Sequence, residues 1–424
     1  MESLEAYLER KYDELRLLDD CLDKPVAPGP PQSIDEVIEL KFKLTAALRA
    51  QHDLNEWTTT ETSWSRWRKR GDGPFRFRYD YQRADLEVIG PSFYEVDDDF
   101  RCETIYTSSG MASISALMLA SSHVLDRADI AVLPGTYGET LEFIEGYASH
   151  LRIITVDETR GGPNSRARSP RILLLDSCAL AKDFQACLRA SWAQFGLCTF
   201  DTTCFSGGSG RIRRVLLRAR EDDVPIALVR SHTKLDSLGA EYGRLGSTTF
   251  IHPKKNDPWG LSYLGKLPDE MRNAVRLLGG AALPAHFPPY VGSPDYRSLT
   301  ARRVAAILRN GRRTARTFQE ALGDLTAELD FAHGLYVTLR CRQPLDEERA
   351  RKAASKLSSD LSLGGFPMRH AGSFGFDFAA SEWFRDVRSG EFSVRIAVPD
   401  LPTAVWDEQS REIARWWNEY NSIP

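Results

Sequence analysis

Val229-Arg230-Ser231-His232-Thr233-Lys234-Leu235 begins where the apolar run Ile226–Val229 ends. A lysine just past a buried strand needs a partner or a task, because an ammonium taken out of water is costly unless compensated. One task is condensation with an aldehyde to form a Schiff base. The plainer reading is a long side chain that reaches back to solvent.

Upstream, short apolar runs recur at Ile130–Leu133, Leu151–Val156, Ile172–Leu175 and Leu197–Phe200, and Thr248–Ile251 follows downstream. Helical patterns separate several of them, starting with Met111, Ile114, Met118 and Leu125 on one face. Strand–helix alternation at this spacing predicts an α/β fold with a mainly parallel sheet. Ligands of such sheets bind beyond the carboxyl ends of the strands. Three further segments fall there. The run Leu197–Phe200 ends in Asp201-Thr202-Thr203, where a carboxylate can either hold a cationic ring nitrogen or cap a turn. Thr107-Ser108-Ser109-Gly110-Met111-Ala112 opens a helix whose free N–H groups suit a phosphate, or an ordinary N-cap. Pro134-Gly135-Thr136-Tyr137-Gly138 is a loop that presents an aromatic ring, for stacking or for turn packing.

Outside this region, residues 1–75 read as an N-terminal helical arm. Leu4, Tyr7, Leu8, Tyr12, Leu15 and Leu18 have helical spacing, and Ser33-Ile34-Asp35-Glu36 is a capping box that opens a second helix to about His52. Residues 76–265 form the large domain, and 266–424 a linker helix and a smaller α+β domain. Trp57, Trp64 and Trp67 alternate with Arg66, Arg68, Lys69 and Arg70, a mixture read here as a packing or subunit contact. With 55 Lys+Arg against 59 Asp+Glu, the chain carries a net charge of −4, so neither nucleic acid nor a membrane surface is the expected partner. The acidic start lacks a signal-peptide pattern, and no apolar run reaches membrane-span length. Seven cysteines without a CxxC pair suggest reduced thiols and a cytoplasmic setting. The histidines show no ligand spacing, so no metal is expected.

Taken in order, Ser109-Gly110-Met111-Ala112, Tyr137-Gly138, Asp201-Thr202-Thr203 and Ser231-His232-Thr233-Lys234 resemble the type I fold of pyridoxal-phosphate (PLP) enzymes. The nearest resemblance is to the cystathionine γ-lyase/γ-synthase family of Cys/Met metabolism. It implies that Lys234 forms the Schiff base with PLP and then shuttles protons. It implies that Asp201 pairs with the pyridinium nitrogen and that Tyr137 stacks on the ring and acts as a second acid/base. Ser109, Gly110, Met111, Thr203, Ser231 and Thr233 would surround the cofactor and its phosphate. Arg395, in Val394-Arg395-Ile396-Ala397-Val398, would bind the substrate carboxylate, with Ser373 nearby. Ser362-Leu363-Gly364-Gly365 is a second match to the segment containing that serine. Tyr81 and Arg83 resemble residues that reach a neighbouring subunit's phosphate, which implies a homodimer or homotetramer.

Several departures surround the substrate. Ala84-Asp85-Leu86 stands where the family has Asn-Pro-Thr, and Asp176-Ser177-Cys178-Ala179-Leu180 stands where it has a segment with an asparagine touching the ring oxygen. Asp236-Ser237-Leu238-Gly239-Ala240-Glu241 replaces the Gly-His after the lysine. The expected function is therefore a PLP-dependent lyase or transferase of specialised amino-acid metabolism. It would act on a small-molecule amino acid with a Cγ or Cβ leaving group, such as a halide or the sulfonium of S-adenosylmethionine. An aminotransferase or aldolase of the same fold, or a PLP-binding protein without catalysis, is the alternative.

Overall fold

The computed structural model describes residues 2–56, 64–69, 73–79, 86–157, 170–253, 259, 263–325, 334–385 and 390–422. Helices α1 (Leu4–Asp19) and α2 (Ile34–Glu56) open the chain. Strands β1 (Trp64–Lys69), β2 (Arg76–Tyr79) and β3 (Glu87–Ile89) form a small antiparallel sheet. Then come β4 (Phe100–Thr107), α3 (Gly110–Ser121), β5 (Ala128–Val132), α4 (Gly138–Tyr147), β6 (Leu151–Thr155) and β7 (Arg171–Asp176). They are followed by α5 (Ala181–Arg189), β8 (Leu197–Asp201), α6 (Gly210–Glu221), β9 (Ile226–Ser231), β10 (Gly246–Pro253) and α7 (Leu267–Leu278). The remaining elements are α8 (Pro294–Leu322), β11 (Tyr336–Leu339), α9 (Glu347–Leu363), β12 (Met368–His370), β13 (Ala379–Arg385), β14 (Phe392–Ala397) and α10 (Thr403–Ser422).

The chain packs into two compact units, one of residues 49–233 and 242–292, the other of residues 1–48, 234–241 and 293–424. The first is built on a seven-stranded sheet in the order β4-β10-β9-β8-β7-β5-β6. The strands β9, β8, β7, β5 and β6 are mutually parallel, while β10 runs antiparallel to both β4 and β9. Side chains alternate across it, as a period of two requires. Ile130, Val132, Ile172 and Leu174 pack with α3, α4 and α7, while Ala131, Leu173 and Leu175 pack with α5 and α6. Burial on both faces explains why these strands are continuous apolar runs. The run Thr248–Ile251 is the antiparallel strand. The edge strand β4 was not foreseen, because Arg101 and Glu103 interrupt its pattern and its first half is largely exposed.

The second unit carries a four-stranded sheet in the order β11-β14-β13-β12, covered by α9, with α10 packed against α8 and α9. Helix α8 starts at Pro294, because Ser293 accepts the Tyr296 N–H and Pro294 fits the first turn. In α2, Ser33 accepts the Glu36 N–H as a capping box requires, while the Glu36 carboxylate accepts the N–H of Gln32 rather than that of Ser33. Among the described residues, seven buried charged side chains of this unit form one ion network. Lys11 donates to Asp377 and Asp400, Lys41 to Glu14 and Asp377, and Arg10 to Asp400. Arg303 donates to Glu14 and Asp377 and, at 2.6 Å, to the Gly375 carbonyl. Burial on this scale is tolerated only because cations and carboxylates alternate.

Candidate functional site

In the sheet-based unit, β8 and β9 end side by side in Asp201 and Ser231, with Thr203 and Thr233 on the loops that follow. Thr203 Oγ1 accepts the Ser231 N–H at 3.0 Å, the Thr203 N–H donates to Asp201 at 2.8 Å, and the Ser231 and Thr233 hydroxyls are 3.0 Å apart. His232, between them, points the other way: it is buried against Phe93 and hydrogen-bonds Ser247. The start of α3 closes on the same place. Ser109 caps the helix by accepting the Ala112 N–H, and Gly110 is required because a Cβ there would stand 2.9 Å from the Ser231 Cβ. Thr107 steadies the turn, donating to the Ser109 carbonyl and sharing a hydrogen bond with Ser113. Ser109, Thr203, Ser231 and Thr233 are half-buried, whereas Gly110, Thr202 and His232 beside them are buried. Met111 lies in the first turn of α3, and its sulfur is 3.9 Å from the Thr140 hydroxyl.

A second carboxylate joins Asp201. Asp176, at the end of β7, is its cross-strand neighbour and accepts the N–H groups of Tyr137 and Cys178 at 2.9 and 2.7 Å. It thus fixes the backbone of Tyr137 at the entry to α4. Burial, then the charge of Asp201, pushes the Asp176 carboxyl up to about 7. Burial also raises Asp201, against the opposing hydrogen bonds of Thr203 and the charge of Arg230. Arg230, fully buried, donates to the Thr202 and Phe205 carbonyls and shapes the loop after β8. Cys178 and Cys204 bring their sulfurs to 3.3 Å.

Lys234 is bonded to Thr233 and belongs, with residues 235–241, to the other unit. Its Nζ donates to Ser373 Oγ at 2.6 Å, and Ser373 donates to Glu241 Oε1 at 2.8 Å. The ammonium lies 3.7 Å from the Glu241 carboxylate and 5.9 Å from the Phe374 ring centroid. Arg395, on β14, donates to Glu382 at 2.6 Å, with its guanidinium over the rings of Tyr336 and Phe384. Glu382 in turn abuts Gly372, where a Cβ would be 3.0 Å from its carboxylate oxygen. Arg395 and Ser373 therefore sit on either side of one short contact chain. Ser362, the second match to the family's serine, instead lies in the last turn of α9. Tyr81 and Arg83 lie outside the described residues. The sequence reading missed Glu382, and it met Asp176 and Glu241 only within departures from the family pattern.

No protein-family model matches the chain, and no curated protein does. Solved structures do. A Campylobacter jejuni protein assigned as an O-acetylhomoserine (thiol)-lyase, solved with pyridoxyl-lysine monophosphate, is similar at 13% identity and TM-score 0.51, covering 74% of this chain and 82% of its own. A Sphingomonas wittichii serine palmitoyltransferase is similar at 15% identity and TM-score 0.50, covering 76% of this chain and 73% of its own. A cystathionine γ-synthase from Xanthomonas oryzae pv. oryzae is similar at 16% identity and TM-score 0.48, covering 74% and 82%. The first two likenesses establish the class of fold, a mixed α/β architecture around a mainly parallel sheet. More specifically, it is the type I fold of PLP-dependent enzymes, as the sequence resemblance implied. Among the described residues, no helix is long and apolar enough to cross a membrane, and no group of three or more His, Cys, Asp or Glu is placed to hold a metal.

Proposed function

We propose that this chain is a PLP-dependent lyase or transferase acting on an amino acid that carries a leaving group at Cγ or Cβ. The observation that carries this reading is the closure of the Ser109–Gly110 turn onto Ser231, in a hydrogen-bond chain that runs through Thr203 to Asp201. These residues suit a phosphorylated pyridine aldehyde. A turn with no room for a Cβ lies against half-buried hydroxyls, and a buried carboxyl stands ready for a cationic ring nitrogen. When bound, the cofactor supplies an electron sink for the bond broken at the substrate Cα.

The protein's part is to hold and to move protons. Lys234 would hold the cofactor's aldehyde end through Nζ, and the same Nζ would take the proton from the substrate Cα. Asp201 keeps the ring nitrogen cationic. Tyr137, its backbone tied to Asp176, stacks on the ring and serves as second acid/base. Ser109, Gly110, Met111, Ser231 and Thr233 hold the phosphate end, and Thr203 lies against the cofactor. Arg395 takes the substrate carboxylate, its plane set by Glu382, Tyr336 and Phe384, with Ser373 close by. In this reading the protein is a cytoplasmic homodimer or homotetramer in which Tyr81 and Arg83 reach a neighbour's phosphate. Its large domain spans 76–265, with the arm before it and the small domain after.

Borohydride reduction after PLP addition, followed by peptide mapping, is expected to place the pyridoxyl group on Lys234. Label on another lysine, or no label, would overturn the reading. A panel of amino acids with Cβ or Cγ leaving groups should then release keto acid, ammonia and the leaving group. Transamination alone would point to the aminotransferase instead.

A further inference from the structure

We propose that Ser373 and Glu241 form the subsite that receives the substrate's ammonium group, and that Glu241 takes the proton this ammonium must lose. The inference rests on the reading of Lys234 as the Schiff-base residue. A primary ammonium already sits there: Lys234 Nζ is 2.6 Å from Ser373 Oγ and 3.7 Å from Glu241 Oε1. Once that nitrogen is bonded to an aldehyde carbon it no longer supplies the ammonium, and the half-exposed Glu241 carboxylate is left with an anion's preference. It attracts an amine and repels a carboxylate, which leaves the carboxylate to Arg395.

The subsite is built rather than incidental. Leu238 and Glu241 both hold positive φ, 52° and 45°, which side-chain-bearing residues adopt at a cost. Ser237 holds this bend by donating to the Lys234 carbonyl at 2.9 Å and accepting the Glu241 N–H at 3.2 Å. Arg303 pins both sides: it donates to the Gly375 carbonyl, two residues from Ser373, and lies where a Cβ on Gly239 would be 2.5 Å from its Nη2. A partly exposed ion pair contributes little stability. Strain stored around so weak a pair is better explained by use than by stability. In the step inferred, the incoming R–NH3+ gives one proton to the Glu241 carboxylate, directly or by relay through the Ser373 hydroxyl. The products are R–NH2, whose lone pair is now available, and a neutral carboxyl that returns the proton to solvent.

Removing the resident ammonium tests this without cofactor or turnover. Lys234→Ala protein is titrated with ethylammonium chloride, and with tetramethylammonium chloride at equal ionic strength, following saturation-transfer NMR and thermal unfolding. Ethylammonium is expected to bind saturably and tetramethylammonium not. Binding should disappear in Lys234→Ala/Glu241→Gln and weaken in Lys234→Ala/Ser373→Ala, all folded by circular dichroism. Equal binding after Glu241→Gln, or none in Lys234→Ala, would sink the proposal. With Lys234 intact, Glu241→Gln should keep the borohydride label on Lys234 yet raise KM for an amino acid about tenfold, more than it changes kcat. An unchanged KM would also count against it. Failure of Lys234 to take the label would remove the PLP reading, while the ethylammonium titration still reports on the subsite alone.

Discussion

Two carboxyls on neighbouring strands, Asp176 and Asp201, have separable consequences. Asp201→Asn removes the charge proposed to keep the ring nitrogen cationic while preserving size. It should leave cofactor binding largely intact and slow Cα deprotonation by about a hundredfold, as when preorganised electrostatic support is lost. Single-turnover kinetics with α-deuterated substrate measure that step, and an unchanged rate would reject the role. Asp176 reports through pH. The unfolded chain releases its proton near the ordinary value of 3.8, whereas the folded protein holds it to about 7. Between those values the native state binds the extra proton, so stability falls as pH rises from about 4 to about 7 and levels off above. In urea unfolding of cofactor-free protein, the stability of wild type relative to Asp176→Asn should therefore decline across that window. A pH-independent difference would show that Asp176 ionises normally. Lys234, Asp201 and Ser109 were legible in sequence because each follows a recognisable strand or opens a helix. Glu241 was not, since neither its positive φ nor its link to Ser373, 132 residues away, leaves a local signal.

Elements meet at Gly110. The first turn of α3 approaches the end of β9 so closely that a methyl group would press on Ser231 Cβ at 2.9 Å and on its backbone at 3.2 Å. Gly110→Ala should cost about 1–3 kcal/mol in denaturant unfolding and weaken PLP affinity, because the phosphate turn must back away from Ser231 and Thr233. Gly146, in α4, is the control: nothing lies within 4 Å of its added Cβ, so Gly146→Ala should gain about 0.5–1 kcal/mol. If both substitutions behave alike, close approach is not what Gly110 provides. The same contrast explains which elements could be read in advance. Strands buried on both faces, such as β7, β8 and β9, announce themselves as apolar runs. Partly exposed edges, such as β4, and the three-residue β12 mix charge with apolar residues and carry no such signature.

At the scale of the whole molecule, the unit containing Lys234 is assembled from three separate stretches of chain, two of which, 1–48 and 293–424, are joined by one buried ion network. Arg303→Met leaves Glu14, Asp377 and Asp400 short of a cation and should cost about 3–5 kcal/mol, read by urea unfolding. A loss under about 1 kcal/mol would mean the network relaxes around the gap. The sequence reading marks the apolar stripe of α1 but passes over Lys11 and Glu14, because lysine and glutamate are rarely buried.

That network also sets a clock on biosynthesis. Arg10 and Asp400 are 390 residues apart, so at ribosomal rates of about 5–20 residues per second α1 emerges roughly 20–80 s before its counter-ion exists. Throughout that interval Arg10 and Lys11, with Tyr7, Leu15 and Leu18 beside them, await the Asp400 carboxylate. A nascent chain that stalls before Asp400 displays this unfinished face, which is the kind of surface that chaperones hold and proteases clear.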